Sequence, residues 1–163
     1  MLEIVTEAVV LDRQDSGEQD CRVYLYTKEA GKLSCKVKSV RKIISKLSGH
    51  LQPLNLVTAR IVDKNGPQLV DALTIKKSEA TPALIKNLFL VKDLAAEGEP
   101  DFDLWEFLQK GNLETKALLS FFGFDPAFAK CYSCQNSGPQ FFFPPDTSFY
   151  CNQCSPAEAY NIA

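Results

Sequence analysis

Four cysteines are the residues whose type and spacing point to the most specific chemistry. Cys131-Tyr132-Ser133-Cys134 and Cys151-Asn152-Gln153-Cys154 are both CxxC pairs, and sixteen residues separate them. Two such pairs at this separation are the pattern of a four-thiolate zinc site. Each knuckle aims two sulfurs at one point, and two knuckles complete a tetrahedron with Zn–S bonds of about 2.3 Å. A shell made only of thiolates leaves no open position for water, so the expected cofactor is one structural Zn2+ held by Cys131, Cys134, Cys151 and Cys154. Iron–sulfur clusters also use four thiolates but usually at other spacings, and a redox dithiol needs a helix N-terminus in a βαβ unit, which is absent here. Between the pairs lie turn residues, Ser137-Gly138-Pro139, and the run Phe141-Phe142-Phe143. That composition suits a small hairpin which needs the metal to hold its apolar surface together.

A second chemistry is electrostatic. The chain carries a net charge of −2, which by itself says nothing about a polyanionic partner. Its distribution is uneven: Met1 to Lys77 holds thirteen Lys and Arg against nine Asp and Glu, whereas Ser78 onward holds five against eleven. Seven cations (Lys32, Lys36, Lys38, Arg41, Lys42, Lys46 and Arg60) fall between Ala30 and Val62 with no acid among them. The densest run is Lys36 to Lys46, and a nucleic-acid backbone is its natural partner, because each neutralised phosphate releases counterions. Lys36, Lys38, Arg41, Lys42 and Lys46 are the expected DNA contacts. A solvated charged face is the bland alternative. Tyr24 and Tyr26 share one face of a strand and could stack on bases, but packing outweighs stacking as their expected role. The acids from Asp93 to Asp125 are read as complements to helix dipoles. His50 is read as structural, and Cys21 and Cys35 as buried thiols.

No catalytic constellation is found. There is one histidine and no phosphate-binding loop, so an enzyme is not expected. The first residues lack a basic start and an apolar run, and no stretch reaches the roughly 18 apolar residues of a membrane span. The reading is of a soluble, cytoplasmic chain without membrane association. Six cysteines in that setting favour metal over disulfides.

The elements that must position these groups change period midway. Five runs rich in Val, Leu, Ile, Thr and Tyr read as strands: Ile4 to Arg13, Cys21 to Lys28, Lys32 to Val40, Asn55 to Asp63 and Gln68 to Lys76. Turns containing Gly17, Gly31 and Gly66 separate neighbours. The long link Arg41 to Leu54 places Ile43, Ile44, Leu47 and Leu51 at helical spacing, and a helical connection between the third and fourth of five strands is the layout of an OB barrel. Thr81-Pro82 then starts a helix whose apolar face carries Leu84, Ile85, Leu88, Phe89 and Leu94 and which Glu97-Gly98-Glu99-Pro100 ends. A short helix, Asp103 to Lys110, stops at Gly111; another begins at an Asn112 cap, carries Leu113, Ala117, Leu118 and Phe121, and stops at Gly123. The fold class is therefore α+β: a five-stranded OB-type barrel (residues 1–78), a small helical domain (79–130) and a zinc module with a tail (131–163).

These segments resemble the RecO family of recombination mediators. The resemblance runs through Thr6-Glu7-Ala8-Val9-Val10-Leu11, Ser16-Gly17-Glu18-Gln19-Asp20, Glu29-Ala30-Gly31-Lys32-Leu33, Lys38-Ser39-Val40-Arg41-Lys42 and Gly49-His50-Leu51-Gln52-Pro53-Leu54. It resumes at Leu118-Leu119-Ser120-Phe121-Phe122-Gly123-Phe124 and continues through the cysteine pairs. It implies binding of single- and double-stranded DNA, annealing of complementary strands, and action with RecR to load RecA onto DNA covered by the single-stranded-DNA-binding protein. It also places Lys38, Arg41 and Lys42 in the family's DNA-contacting region and the four cysteines at its zinc ligands. The helical part reads as shorter than is usual in that family, with little between Leu108 and Leu113 and little after Cys154. Because the family's contact with the single-stranded-DNA-binding protein maps there, RecR is the firmer partner of the two. Two other functions fit the same residues: a non-catalytic protein–protein adaptor and a zinc-ribbon RNA-binding factor.

Overall fold

Alternation of apolar and polar side chains builds five strands within the first 76 residues. A computed structural model describes residues 2–16, 20–37, 46–111 and 113–163. The strands are β1 (Leu2–Ser16), β2 (Asp20–Thr27), β3 (Gly31–Val37), β4 (Leu56–Asp63) and β5 (Pro67–Lys76). They close into a barrel in the order β1-β2-β3-β5-β4, with β1 also pairing antiparallel to β4. The closure between β3 and β5 is parallel, and among the described residues it pairs Lys36 with Gln68. This is the OB arrangement that the five apolar runs predicted.

Cys21, Val23 and Leu25 of β2, Cys35 and Val37 of β3, and Val57, Ala59 and Ile61 of β4 point into the barrel, with Ala8 and Val10 of β1. Leu47 and Leu51, from the β3–β4 link, join this core. Residues 46–47 are helical; Ile43 and Ile44, expected on the same helical face, lie outside the described residues. Cys21 and Cys35 are both buried, as their period-two spacing required.

The continuous apolar run Ala8-Val9-Val10-Leu11 has a different consequence. Val9 and Leu11 face away from the barrel interior yet are fully buried, because β1 packs against α1 (Pro82–Leu94). A register shift between Val10 and Asp12 marks a bulge at Leu11, which bends the strand where it meets the helix. Thr81 caps α1 as expected, its side chain accepting from Leu84 N–H at 3.3 Å. The next helix, α2 (Phe102–Gln109), is capped by Asp101, whose carboxylate accepts from Leu104 N–H at 3.1 Å.

The chain divides into two compact units, Met1–Leu113 and Glu114–Ala163, so α1 and α2 pack with the barrel. In the second unit, α3 (Thr115–Phe121) starts at Glu114 without a side-chain cap. The expected cap, Asn112, lies outside the described residues, and Leu113 remains with the first unit, where its carbonyl accepts from the Asn87 side chain. A 3-10 turn (Pro126–Phe128) follows, then β6 (Phe141–Phe143), β7 (Ser148–Tyr150) and β8 (Tyr160–Asn161) in a small sheet ordered β7-β6-β8. Phe142 is the centre of this unit, with Phe124 at 5.2 Å and Phe149 at 5.1 Å between ring centroids. Among the described residues, no helix is long and apolar enough to cross a membrane.

Candidate functional site

Each CxxC segment is a tight knuckle built from backbone hydrogen bonds. Gln135 N–H reaches back to Cys131 C=O at 2.9 Å, and Cys154 N–H to Cys151 C=O at 3.2 Å. Gln135 takes a positive φ of 63°, which turns the chain out of the first knuckle. The hairpin β6–β7 carries the second knuckle to the first, and Tyr132 N–H donates to Phe149 C=O at 2.8 Å to lock the register.

The result is that the Sγ atoms of Cys131, Cys134, Cys151 and Cys154 all lie within 4.8 Å of one another. Cys134 and Cys151 are 3.7 Å apart, sulfur to sulfur. A regular tetrahedron with metal–sulfur bonds of about 2.3 Å has edges of about 3.8 Å, so this spacing fits one tetrahedral ion. It is far longer than the roughly 2.05 Å of a disulfide, and all four cysteines are free. The donor set is soft thiolate throughout, which suits zinc and disfavours hard cations.

The local field favours a thiolate at the buried corner. Backbone N–H groups of Cys134, Cys151 and Ser133 converge on Cys131 and bring its thiol down to about 6. Cys154 is pushed up to about 12, chiefly by the thiol of Cys151 beside it. Clustered thiols cannot all ionise together without a cation among them, and a divalent ion removes that conflict.

The barrel carries the second candidate site. Lys36 lies on β3 at the β3–β5 closure, and Lys46 is exposed and helical. Lys38, Arg41 and Lys42 lie outside the described residues. Arg22 was not singled out from sequence, yet it pairs directly with Lys36 across β2–β3 and therefore shares its face. Its alternation with Cys21 and Val23, both inward, is the signal that would have found it. Arg22 also donates to the Ser34 hydroxyl at 2.7 Å.

Arg60 and Lys32, two of the cations counted in sequence, are engaged by other segments of the chain. Arg60 pairs with Glu3 at 2.5 Å, which holds the Glu3 carboxyl below its ordinary value. Lys32 donates to Lys92 C=O at 2.8 Å, at the C-terminal end of α1, where carbonyls lack helical partners. The tyrosines are likewise engaged: Lys92 lies 4.9 Å from the Tyr24 ring centroid, and Tyr26 is buried with its hydroxyl accepting from Asp101 N–H at 3.0 Å. His50 is structural as read, its Nδ1 accepting Thr74 N–H at 3.0 Å beside a bulge in β5.

A closed OB barrel joined to a helical pair, with a separate four-thiol ribbon, defines the class: an OB-fold protein carrying a metal-ribbon module. Residues 1–79 match the family model described as Recombination protein O N terminal. The chain as a whole is similar to proteins named DNA repair protein RecO. It is 27% identical to that of Pelotomaculum thermopropionicum over 173 residues, covering 91% of this chain and 67% of the relative. It is 27% identical to that of Syntrophobacter fumaroxidans over 156 residues (81% and 62%), and 26% identical to that of Bacillus pumilus over 182 residues (98% and 71%). The chain thus spans about two thirds of the length of the relatives it matches.

Proposed function

We propose that this chain is a DNA-binding recombination mediator in DNA repair. The observation that carries the reading is the match of the whole barrel, residues 1–79, to the N-terminal domain of recombination protein O. In this proposal the barrel, residues 1–78, grips single- and double-stranded DNA through Lys36, Lys38, Arg41, Lys42 and Lys46, with Arg22 beside Lys36. Strands two and three form the usual oligonucleotide-binding face of an OB fold, and Arg22 and Lys36 stand on those strands. Residues 79–130 supply the helical part and 131–163 the zinc module. Cys131, Cys134, Cys151 and Cys154 hold one Zn2+, which clamps the ribbon and takes no part in a reaction. The chain works in the cytoplasm without catalytic turnover of its own. It anneals complementary strands and, with RecR, helps RecA onto DNA covered by the single-stranded-DNA-binding protein, a further partner.

The test is binding of a fluorescent oligonucleotide followed by anisotropy over a range of salt. Each cation that neutralises a phosphate of single-stranded DNA contributes roughly 0.7 to the log–log salt slope. A variant with Lys38, Arg41 and Lys42 changed to Glu is expected to lose affinity for single and double strands alike and to lower the slope by roughly 2. Superimposable titrations of wild type and variant would refute the barrel as the DNA-binding surface.

A further inference from the structure

We propose that the metal ribbon carries a second nucleic-acid site, one that stacks the bases of single-stranded DNA on Phe128 and Tyr132. The choice of DNA rests on the repair function proposed above; the site itself rests on four observations within residues 114–163.

Phe128 and Tyr132 are among the most exposed large apolar side chains, at 87% and 66%. Single exposed apolar residues are ordinary. Here two aromatics flank an exposed lysine, at positions 128, 130 and 132. Lys130 has no ion-pair partner among the described residues, and no Asp or Glu occurs between Asp125 and Asp146.

The backbone that presents Phe128 and the ring of Tyr132 are both fixed before any ligand arrives. Phe128 ends a 3-10 turn that Pro126 stiffens and that Asp125 caps by accepting Ala127 N–H at 2.9 Å. Tyr132 meets Tyr150 edge to face at 6.1 Å between centroids, and Tyr150 is tethered in turn by a hydrogen bond to Asp146. Rigid aromatics lose little entropy on binding, which is what a stacking platform requires.

Beside them runs a polar groove of about 320 Å³ lined by Asn136, Ser137, Gln140, Asn152 and Gln153. Lys130 bridges to Ser137 and Cys131 N–H donates to Asn136 C=O, so the aromatic strip and the groove share one wall. Neutral carboxamides both donate and accept, matching the edges of unpaired bases, while the rings match their faces and Lys130 matches a phosphate. A duplex hides base faces in its stack and cannot use such a site.

The full chain is tested with a fluorescent oligothymidine and with a duplex of equal length. Changing Phe128, Lys130 and Tyr132 together to Ala is expected to weaken oligothymidine binding roughly tenfold or more and to change duplex binding less than about twofold. Metal content must equal that of wild type, and Phe128→Tyr with Tyr132→Phe must retain affinity. Photocrosslinking with 5-iodouracil oligonucleotides is expected to label Phe128 or Tyr132. Undiminished oligothymidine binding by the triple variant, with crosslinks confined to the barrel, overturns this site and leaves the barrel proposal intact. Loss of binding only in the Lys38, Arg41 and Lys42 variant has the same meaning. If wild type binds neither DNA, both proposals fall.

Discussion

The ammonium group of Lys92, near the end of α1, stands 2.8 Å from the carboxylate of Asp12 on β1, 80 residues away in the chain. The same Nζ lies 4.9 Å from the ring centroids of both Tyr24 and Phe89. Asp12 also accepts Arg13 N–H at 2.7 Å and the Gln14 side chain at 3.1 Å. Helix and barrel are therefore joined by an ion pair set among aromatics, at the strand bulge that aims Asp12 outward.

The pair is only 16% and 11% exposed, so removing one partner strands a charge away from water. Asp12→Ala or Lys92→Ala is expected to lower stability by about 2–3 kcal/mol, read from urea unfolding. Replacing both at once, Asp12→Leu with Lys92→Met, is expected to recover most of that loss, because no charge is left unpaired. A double variant as unstable as the sum of the singles would refute the account.

Gly31 meets two demands at once. Its φ is 67°, and a Cβ there would come 2.3 Å from the backbone oxygen of Glu99. The segment that crosses it leads directly to Asp101, which holds Tyr26 and caps α2. Gly31→Ala is expected to cost at least about 2 kcal/mol, where Gly66→Ala, with open space around it, costs only the positive-φ penalty. Equal midpoints for the two variants in thermal unfolding would argue against close approach as the cause.

Burial inside the barrel pushes the Cys35 thiol up to about 12 from an ordinary value of 9.0. The folded state therefore keeps a proton that the unfolded chain releases above pH 9. The stabilisation is complete below pH 9 and declines as pH rises toward 12, with a limiting slope of about 1.4 kcal/mol per pH unit. Stability measured from pH 8 to 11 is expected to fall less steeply in Cys35→Ala than in wild type, even though the variant is less stable at neutral pH. Parallel curves would count against this reading.

The proposed zinc acts on residues 114–163, the unit that holds all four thiols. Trp105 is the sole tryptophan and is buried in the first unit, whereas Tyr132, Tyr150 and Phe142 belong to the second. A strong chelator, or Cys151→Ala, is expected to expose residues 114–163 to protease while Trp105 emission and the barrel remain native. Elemental analysis should give one zinc per untreated chain. A red shift of Trp105 on chelation would show the two units to be coupled.

Short-range patterns carried much of this protein. Ligand spacing in the two CxxC pairs, alternation along Cys21-Arg22-Val23-Tyr24-Leu25, the Thr81-Pro82 cap and the glycine turns each lie within a few residues, so local geometry alone decides them. Relations between distant segments could not be read that way. Whether Lys32 meets DNA or the last turn of α1, whether Arg60 is free or joined to Glu3, and whether Tyr26 stacks or is buried under Asp101 are settled only when the barrel closes and α1 folds back onto β1. The physical reason is that charge, aromaticity and hydrogen-bonding capacity belong to a residue, whereas the partner that uses them is chosen by packing across more than fifty residues of chain.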